Sequence, residues 1–253
     1  MNQTPATAAT APGITALTGP RRRNTAVAFF RESVRSRQTT GAVAPSGSPL
    51  AQRLAAPLPA PRGRSPLRVL EVGAGTGTVT RALAERIGPG DRLDTVEVNP
   101  RFVQLLTGAL RTDPVLAAAS EQIRIIPESI SHTPLPPKSY DVIVSCLPFM
   151  NFAPDTVRSL LERYLAALAP GGHLTFFSYL GTLSLRTLFA RPTEAARYRA
   201  VAAVLADFST RYGNGAGDGA GVAWRNLPPA RVTHLRAPQP TTDVADPASP
   251  ARR

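Results

Sequence analysis

From residue 67 onward, short apolar runs alternate with stretches in which apolar residues recur every three or four positions. The runs at 67–72 (LRVLEV), 92–98 (RLDTVEV), 122–127 (QIRIIP), 140–146 (YDVIVSC) and 172–179 (GHLTFFSY) predict strands. The helical spacing at 78–87, 100–111 and 154–169 predicts helices between them, the second opened by Pro100, whose missing N–H costs nothing in a first turn. The run at 140–146 is almost wholly apolar, as a strand covered on both faces requires. A helical pattern returns over 183–210, interrupted near Pro192, and 213–221 (GNGAGDGAG) predicts a loop. Two last runs, 222–227 and 230–237, predict antiparallel strands joined through Pro228-Pro229 and bring the strand count to seven. Strands alternating with helices predict βαβ units, hence an α/β fold with a doubly wound, mainly parallel sheet.

Before residue 67 the pattern is different. Residues 25–37 (TAVAFFRESVRSR) place Val27, Phe30 and Val34 on one helical stripe, widened by Ala26 and Phe29, with Arg31 and Arg35 on another face. A basic amphipathic helix of this kind can lie on a membrane surface; an ordinary docking helix packed on its own domain has the same periodicity. A Gly/Pro/Ser loop and a short helix over 38–56 lead into a Pro-rich connector at 57–66. The expected organisation is a disordered tail (1–24), a helical membrane-contacting extension that caps the site (25–66), a catalytic domain (67–237) and a second disordered tail (238–253). Residues 164–185 lack acids, Lys and Arg, but Pro170-Gly171-Gly172 breaks them, so they read as a helix end, a turn and a buried strand rather than a membrane span. The N-terminus has no apolar core of a signal peptide.

Charge changes this picture only through its placement. The formal net charge is +12 over 253 residues. Residues 1–66 carry nine Arg against Glu32 alone, while 67–235 are close to balanced. Nearly all the basic residues are Arg, Lys138 being the single lysine, which points to compositional bias as well as to polyanion binding. The single cysteine, Cys146, excludes an internal disulfide framework and a cysteine-based zinc cluster, and no spaced His/Cys/carboxylate set predicts a metal. The compartment expected is cytoplasmic.

The chemistry centres on Glu71-Val72-Gly73-Ala74-Gly75-Thr76-Gly77, which closes the first strand and opens a helix. Glycines there let the backbone turn sharply and approach a ligand closely. Glu97 ends the next strand, twenty residues after Gly77, where a carboxylate can accept both hydroxyls of a ribose. Dinucleotides and S-adenosylmethionine both fit such a sheet. Glu71 directs a second carboxylate at the crevice, which disfavours a pyrophosphate and suits a ligand with a cationic amino-acid end.

On these residues the chain resembles the class I S-adenosylmethionine-dependent methyltransferases, whose first motif is this E/D-x-G-x-G-x-G. The resemblance implies a Rossmann-like fold and S-adenosyl-L-methionine as cofactor, held by Glu71, Gly73, Ala74, Gly75, Gly77, Glu97 and Val98. It also implies Glu128 and Ser129 near the adenine, and Ser145 at the end of the fourth strand. Three further segments, FFRESVRSRQTTGAVAPSGSPLAQRL (29–54), SCLPFMNF (145–152) and AWRNLPPARV (223–232), resemble bacterial phospholipid N-methyltransferases, which methylate phosphatidylethanolamine or ornithine lipid. The usual Asn/Asp-Pro-Pro-aromatic motif of amine-methylating members is absent, and Ser145-Cys146-Leu147-Pro148 stands in its place.

The resemblance makes Ser145, Leu147 and Tyr179 the candidate catalytic residues, with His132 or His173 to relay the proton that an acceptor ammonium must lose. Phe29, Phe30, Arg31, Arg35, Ser46, Trp224 and Arg225 would meet the lipid and an anionic inner membrane face, Arg through phosphate and Trp at the interface. RNA phosphates would use the same arginines, so an rRNA adenine N6-methyltransferase is an alternative, although no RNA-binding accessory module is visible. A non-enzymatic, basic membrane-interface protein is the third reading, and the complete Glu71/Gly73/Gly75/Gly77/Glu97 set speaks against it.

Overall fold

The centre of the sheet is β1 (Arg68–Val72), four of whose five residues are buried. It lies between β2 (Arg92–Val96) and β4 (Tyr140–Ser145), parallel to both. Outward, β3 (Ile123–Ile126) joins β2, and β5 (Leu168–Tyr179) joins β4, again in parallel. β7 (Ala230–Arg236) pairs antiparallel with β5, and the two-residue β6 (Val222–Ala223) pairs antiparallel with β7. The order is β3-β2-β1-β4-β5-β7-β6, the seven-stranded, mainly parallel, Rossmann-like sheet expected. The structure, a computed structural model, describes residues 48–60, 63–179, 192–213, 221–224 and 229–239. The tails and the basic helix expected at 25–37 lie outside the described residues.

Alternation along β1 sends Val69 to one face and Leu70 and Val72 to the other. On the first face Val69, Leu93, Val142 and Val144 pack with α1 (Ser48–Ala55), α2 (Thr78–Ala84), α3 (Pro100–Thr112) and α4 (Pro114–Ala118) through Leu50, Leu54, Leu83, Leu106 and Leu116. On the second, Leu70, Val72, Ile143 and Phe176 pack with α5 (Pro154–Ala167) and α6 (Pro192–Tyr212) through Leu161, Tyr164, Val201 and Phe208. Both faces are thus covered, which is what the apolar runs require.

The elements differ from expectation in three places. α5 ends at Ala167 and β5 starts at once, because Leu168 already pairs with Tyr140 and the Lys138 and Ser139 amides donate to the Ala166 and Ala167 carbonyls. Pro170-Gly171-Gly172 is therefore an irregularity inside the strand: the register shifts between Tyr140 and Val142, and a Cβ on Gly172 would stand 2.9 Å from the carbonyls of Ala169 and Asp141. α4 was not foreseen; the Asp113 carboxylate caps it, accepting from the Val115 and Leu116 amides, with Pro114 in its first turn. Of the described residues of the run at 222–227, Val222 and Ala223 are paired as strand and Trp224 stands in a turn. Pro192 begins α6, in keeping with a helical pattern broken there; residues 183–191 lie outside the described residues.

α1 belongs to the core rather than to an appendage. Leu50, Ala51, Leu54, Ala55 and the following Leu58 are all buried, packed on α2 and on β5, β6 and β7. It descends from the end of the sheet where the parallel strands finish, the crest, toward the foot. Gln52 Nε2 meets Glu85 just past the end of α2 at 2.6 Å, and Arg86 reaches the Leu58 carbonyl. Below them, Arg64 makes a bidentate pair with Asp91 at the start of β2, at 2.8 and 2.6 Å. Burial pushes the Asp91 carboxyl up, but Arg64 and the Leu67 and Gly88 amides outweigh it and hold it below its ordinary value. The start of α1 therefore stands on the crest side.

Candidate active site

The crest is where β1 turns into α2. Gly73, Gly75 and Gly77 all have positive φ, at 79°, 57° and 88°, so an L side chain would be strained at each. Their surroundings differ. A Cβ on Gly77 would lie 2.7 Å from Leu106 Cδ1, so this glycine also lets α2 approach α3. A Cβ on Gly73 would lie 3.1 Å from Leu147 Cδ2, so the segment after β4 presses on the loop. A Cβ on Gly75 would meet nothing within 4 Å. Nothing in the described protein fills that space, and it is where a ligand can approach the main chain.

Glu97 ties the crest together. Its side chain is buried; Oε2 accepts from the Gly75 amide and Oε1 from the Asn99 amide, each at 2.8 Å. Asn99 in turn caps α3 by accepting from the Arg101 amide. One carboxylate so fixes the glycine turn to the end of β2, and each oxygen keeps a lone pair for a hydroxyl. Val98 beside it is half-buried. The open space at Gly75 beside an oriented carboxylate fits the ribose of S-adenosyl-L-methionine.

Glu71 is fully buried on the α2 side of the sheet. Its Oε2 accepts from Thr80 Oγ1 at 2.7 Å and from Thr95 Oγ1 at 3.3 Å, while no described residue donates to Oε1. Burial raises its pKa to about 7, with Glu97 adding to the rise and the two threonines opposing it. Sequence reasoning missed both threonines. A signal existed for Thr80, which lies three residues past Gly77 on the inward face of α2; none existed for Thr95, which arrives from the neighbouring strand.

The remaining expected residues are placed unevenly. Ala74 is buried in the loop. Glu128 is exposed after β3, with Ser129 buried beside it and organising a turn through its carbonyl, which accepts from the His132 and Thr133 amides. Ser145 is fully buried at the end of β4, on the side of the buried Tyr164 phenol of α5, whose pKa burial pushes up. The hydroxyl thus sits in the core under α5, leaving the main chain of this segment, not the Ser145 side chain, at the crest. Leu147 is buried against Gly73, followed by a 3₁₀ turn at Phe149–Asn151. Tyr179 is half-buried at the crest end of β5, its ring edge-on to Phe177 at 5.2 Å.

His173 is not brought to the site. It pairs with Val142, three residues toward the foot from the Ser145–Phe176 level, about 10 Å away at the rise of a strand, and it cannot relay a proton at the crest. His132 is exposed in the turn after β3. Trp224 stands at the crest rim directly after β6, 73% exposed, at the level where Ala230 pairs with Tyr179. Phe29, Phe30, Arg31, Arg35, Ser46 and Arg225 lie outside the described residues.

Comparison with known proteins agrees with this geometry. A family described as "Methyltransferase domain" matches residues 69–172, from β1 into β5. An ornithine lipid N-methyltransferase of Singulisphaera acidiphila is 29% identical over 104 residues, 41% of this chain and 53% of that protein. The chain thus matches about half the length of that curated relative. Among solved structures, a Klebsiella pneumoniae protein described provisionally as an O-methyltransferase superposes with a TM-score of 0.53 at 14% identity, covering 88% of this chain and 93% of that one. A cofactor-bound protein from MTB gives a TM-score of 0.50 at 15% identity, covering 88% and 94%. At these identities the structures establish the fold.

Proposed function

Since residues 69–172 are a class I, S-adenosylmethionine-dependent methyltransferase domain, we propose that the chain uses it to N-methylate an aminolipid head group at a membrane surface, with phosphatidylethanolamine the foremost acceptor and ornithine lipid the alternative. The cofactor supplies a methyl group already activated by its sulfonium. The protein's share is to align the acceptor nitrogen in a dry site. Glu97 and the Gly75 turn hold the cofactor side. Leu147 and the turn after it form the opposing wall. An amine with a pKa of about 10, as for lysine, must shed its proton first, and Tyr179 at the end of β5 is the described residue at the crest best placed to orient it.

The observation that carries this reading is a large aromatic residue left exposed at the rim of the site. Trp224 is exposed on the crest rim, and residues 1–47, ahead of α1 in the sequence, carry six Arg against a single acid. An amphipathic Trp at a rim and a basic N-terminal sequence both match a polar membrane interface. The partial identity with an ornithine lipid N-methyltransferase supports the same acceptor class. No helix among the described residues is long and apolar enough to cross a membrane, which is compatible with peripheral attachment.

The test incubates the chain with methyl-labelled cofactor and either phosphatidylethanolamine vesicles, ornithine-lipid vesicles or rRNA. Label in a lipid extract is expected. Label confined to RNA overturns the aminolipid reading in favour of an adenine methyltransferase.

A further inference from the structure

α6 carries one residue that reaches across to the acceptor side of the crest. Arg197 is half-buried, and its NH1 donates to two main-chain carbonyls at once, Met150 and Phe152, each at 3.0 Å. Its guanidinium also lies 4.6 Å from the centroid of the Tyr198 ring. Among the described residues no carboxylate pairs with it by a salt bridge. Its charge is directed instead at the carbonyls that bracket the end of the 3₁₀ turn Phe149–Asn151, where a short helix leaves its last carbonyls without internal partners. Arg197 sits one turn before Val201 on the stripe continued by Val204 and Phe208, so packing of α6 on the second face fixes where it stands.

The turn it holds belongs to the site. It directly follows Leu147 and Pro148, and Leu147 packs against Gly73 of the cofactor loop. Beneath it, Phe149 and Phe152 are buried, with Phe149 edge-on to Phe176 at 5.4 Å. Those rings anchor the side chains of the turn, whereas its carbonyls at Met150 and Phe152 are anchored by Arg197.

We propose that Arg197 is a positioning residue, a clamp from α6 that sets the main-chain wall opposite the cofactor loop and so places the acceptor nitrogen. It touches no reacting atom and acts through the turn. The acceptor half of this proposal rests on the reading of the chain as an amine methyltransferase.

Two variants separate the clamp from simple packing. Arg197→Met keeps the apolar stem and removes the donor; Arg197→Lys keeps one nitrogen, and a single nitrogen makes both bonds. In Arg197→Met, hydrogen exchange at the Asn151 and Phe152 amides, which donate within the turn to Pro148 and Phe149, should speed up tenfold or more. On vesicles containing phosphatidylethanolamine, kcat/KM for the lipid should fall roughly ten- to a hundredfold, with the Kd for S-adenosylhomocysteine within twofold of the parent. Arg197→Lys should restore most of both. Unchanged exchange in Arg197→Met overturns the clamp, as does loss of cofactor affinity in step with activity and without rescue by lysine. Should the parent chain methylate no lipid vesicle, the aminolipid reading falls on its own while the exchange measurement still decides the clamp.

Discussion

Glu71 shows what one buried carboxyl contributes and costs. Its ordinary pKa near 4.5 is pushed to about 7. A raised pKa means that folding favours the protonated form. The native state therefore loses stability as pH rises from about 4.5 to 7, a loss bounded at about 3 kcal/mol by the size of the shift. Glu71→Gln, which cannot ionise, should be more stable than the parent by roughly 1–3 kcal/mol at pH 8 and nearly equal to it at pH 4, read from urea unfolding. An equal effect at both pH values would show that Glu71 is not shifted. Glu97 works in the other direction, through bonds already formed. Glu97→Ala frees the Gly75 and Asn99 amides together. Affinity for S-adenosylmethionine by calorimetry should fall roughly ten- to a hundredfold, as expected when charge-assisted hydrogen bonds are lost. Unaltered affinity would remove Glu97 from the ribose site.

At the scale of elements, the fold rests on contacts that were legible to different degrees. The five parallel strands could be read because each is a short apolar run, and the glycine turn because three positive-φ positions in seven residues leave a mark in the sequence. The onset of β5 could not be read, since it depends on pairing with Tyr140 rather than on the Pro-Gly-Gly that looks locally like a turn. Neither could the Thr95–Glu71 bond or the Arg197 clamp, whose partners come from neighbouring strands and distant helices. α1 was read as part of an extension because its eight residues look alike whether they cap a site or fill a core. Leu54→Ala should cost about 2–5 kcal/mol in urea unfolding, the penalty of a large-to-small change in a full core; a cost under 1 kcal/mol would return α1 to the surface. Gly77→Ala combines left-handed backbone strain with a 2.7 Å contact to Leu106. It should lower stability by about 1–3 kcal/mol, and Leu106→Ala in the same chain should recover part of that loss if the contact matters.

Across the whole molecule, the net charge of +12 acquires a direction. Six of the nine arginines before residue 67 precede α1 in the sequence, and Trp224 is exposed on the crest rim. Removing residues 1–37 should weaken flotation with anionic vesicles and make what binding remains less sensitive to salt, because polybasic attraction, worth about 1 kcal/mol per residue near such a surface, is the part that salt screens. Flotation unchanged by the deletion would make the 25–37 segment a docking helix on its own domain.

The seating of α1 also bears on the order in which the molecule is made. Its buried leucines pack with Ala230 and Val232 of β7, so the first described helix and the last described strand share one apolar seam. On the ribosome, Leu50, Leu54 and Leu58 emerge long before residue 232 exists to cover them. Folding from the N-terminal side can form β1 to β4 but cannot close this seam. Completion of the sheet thus waits until β7 has been synthesised, and a nascent chain arrested before β7 would present that leucine row to chaperones.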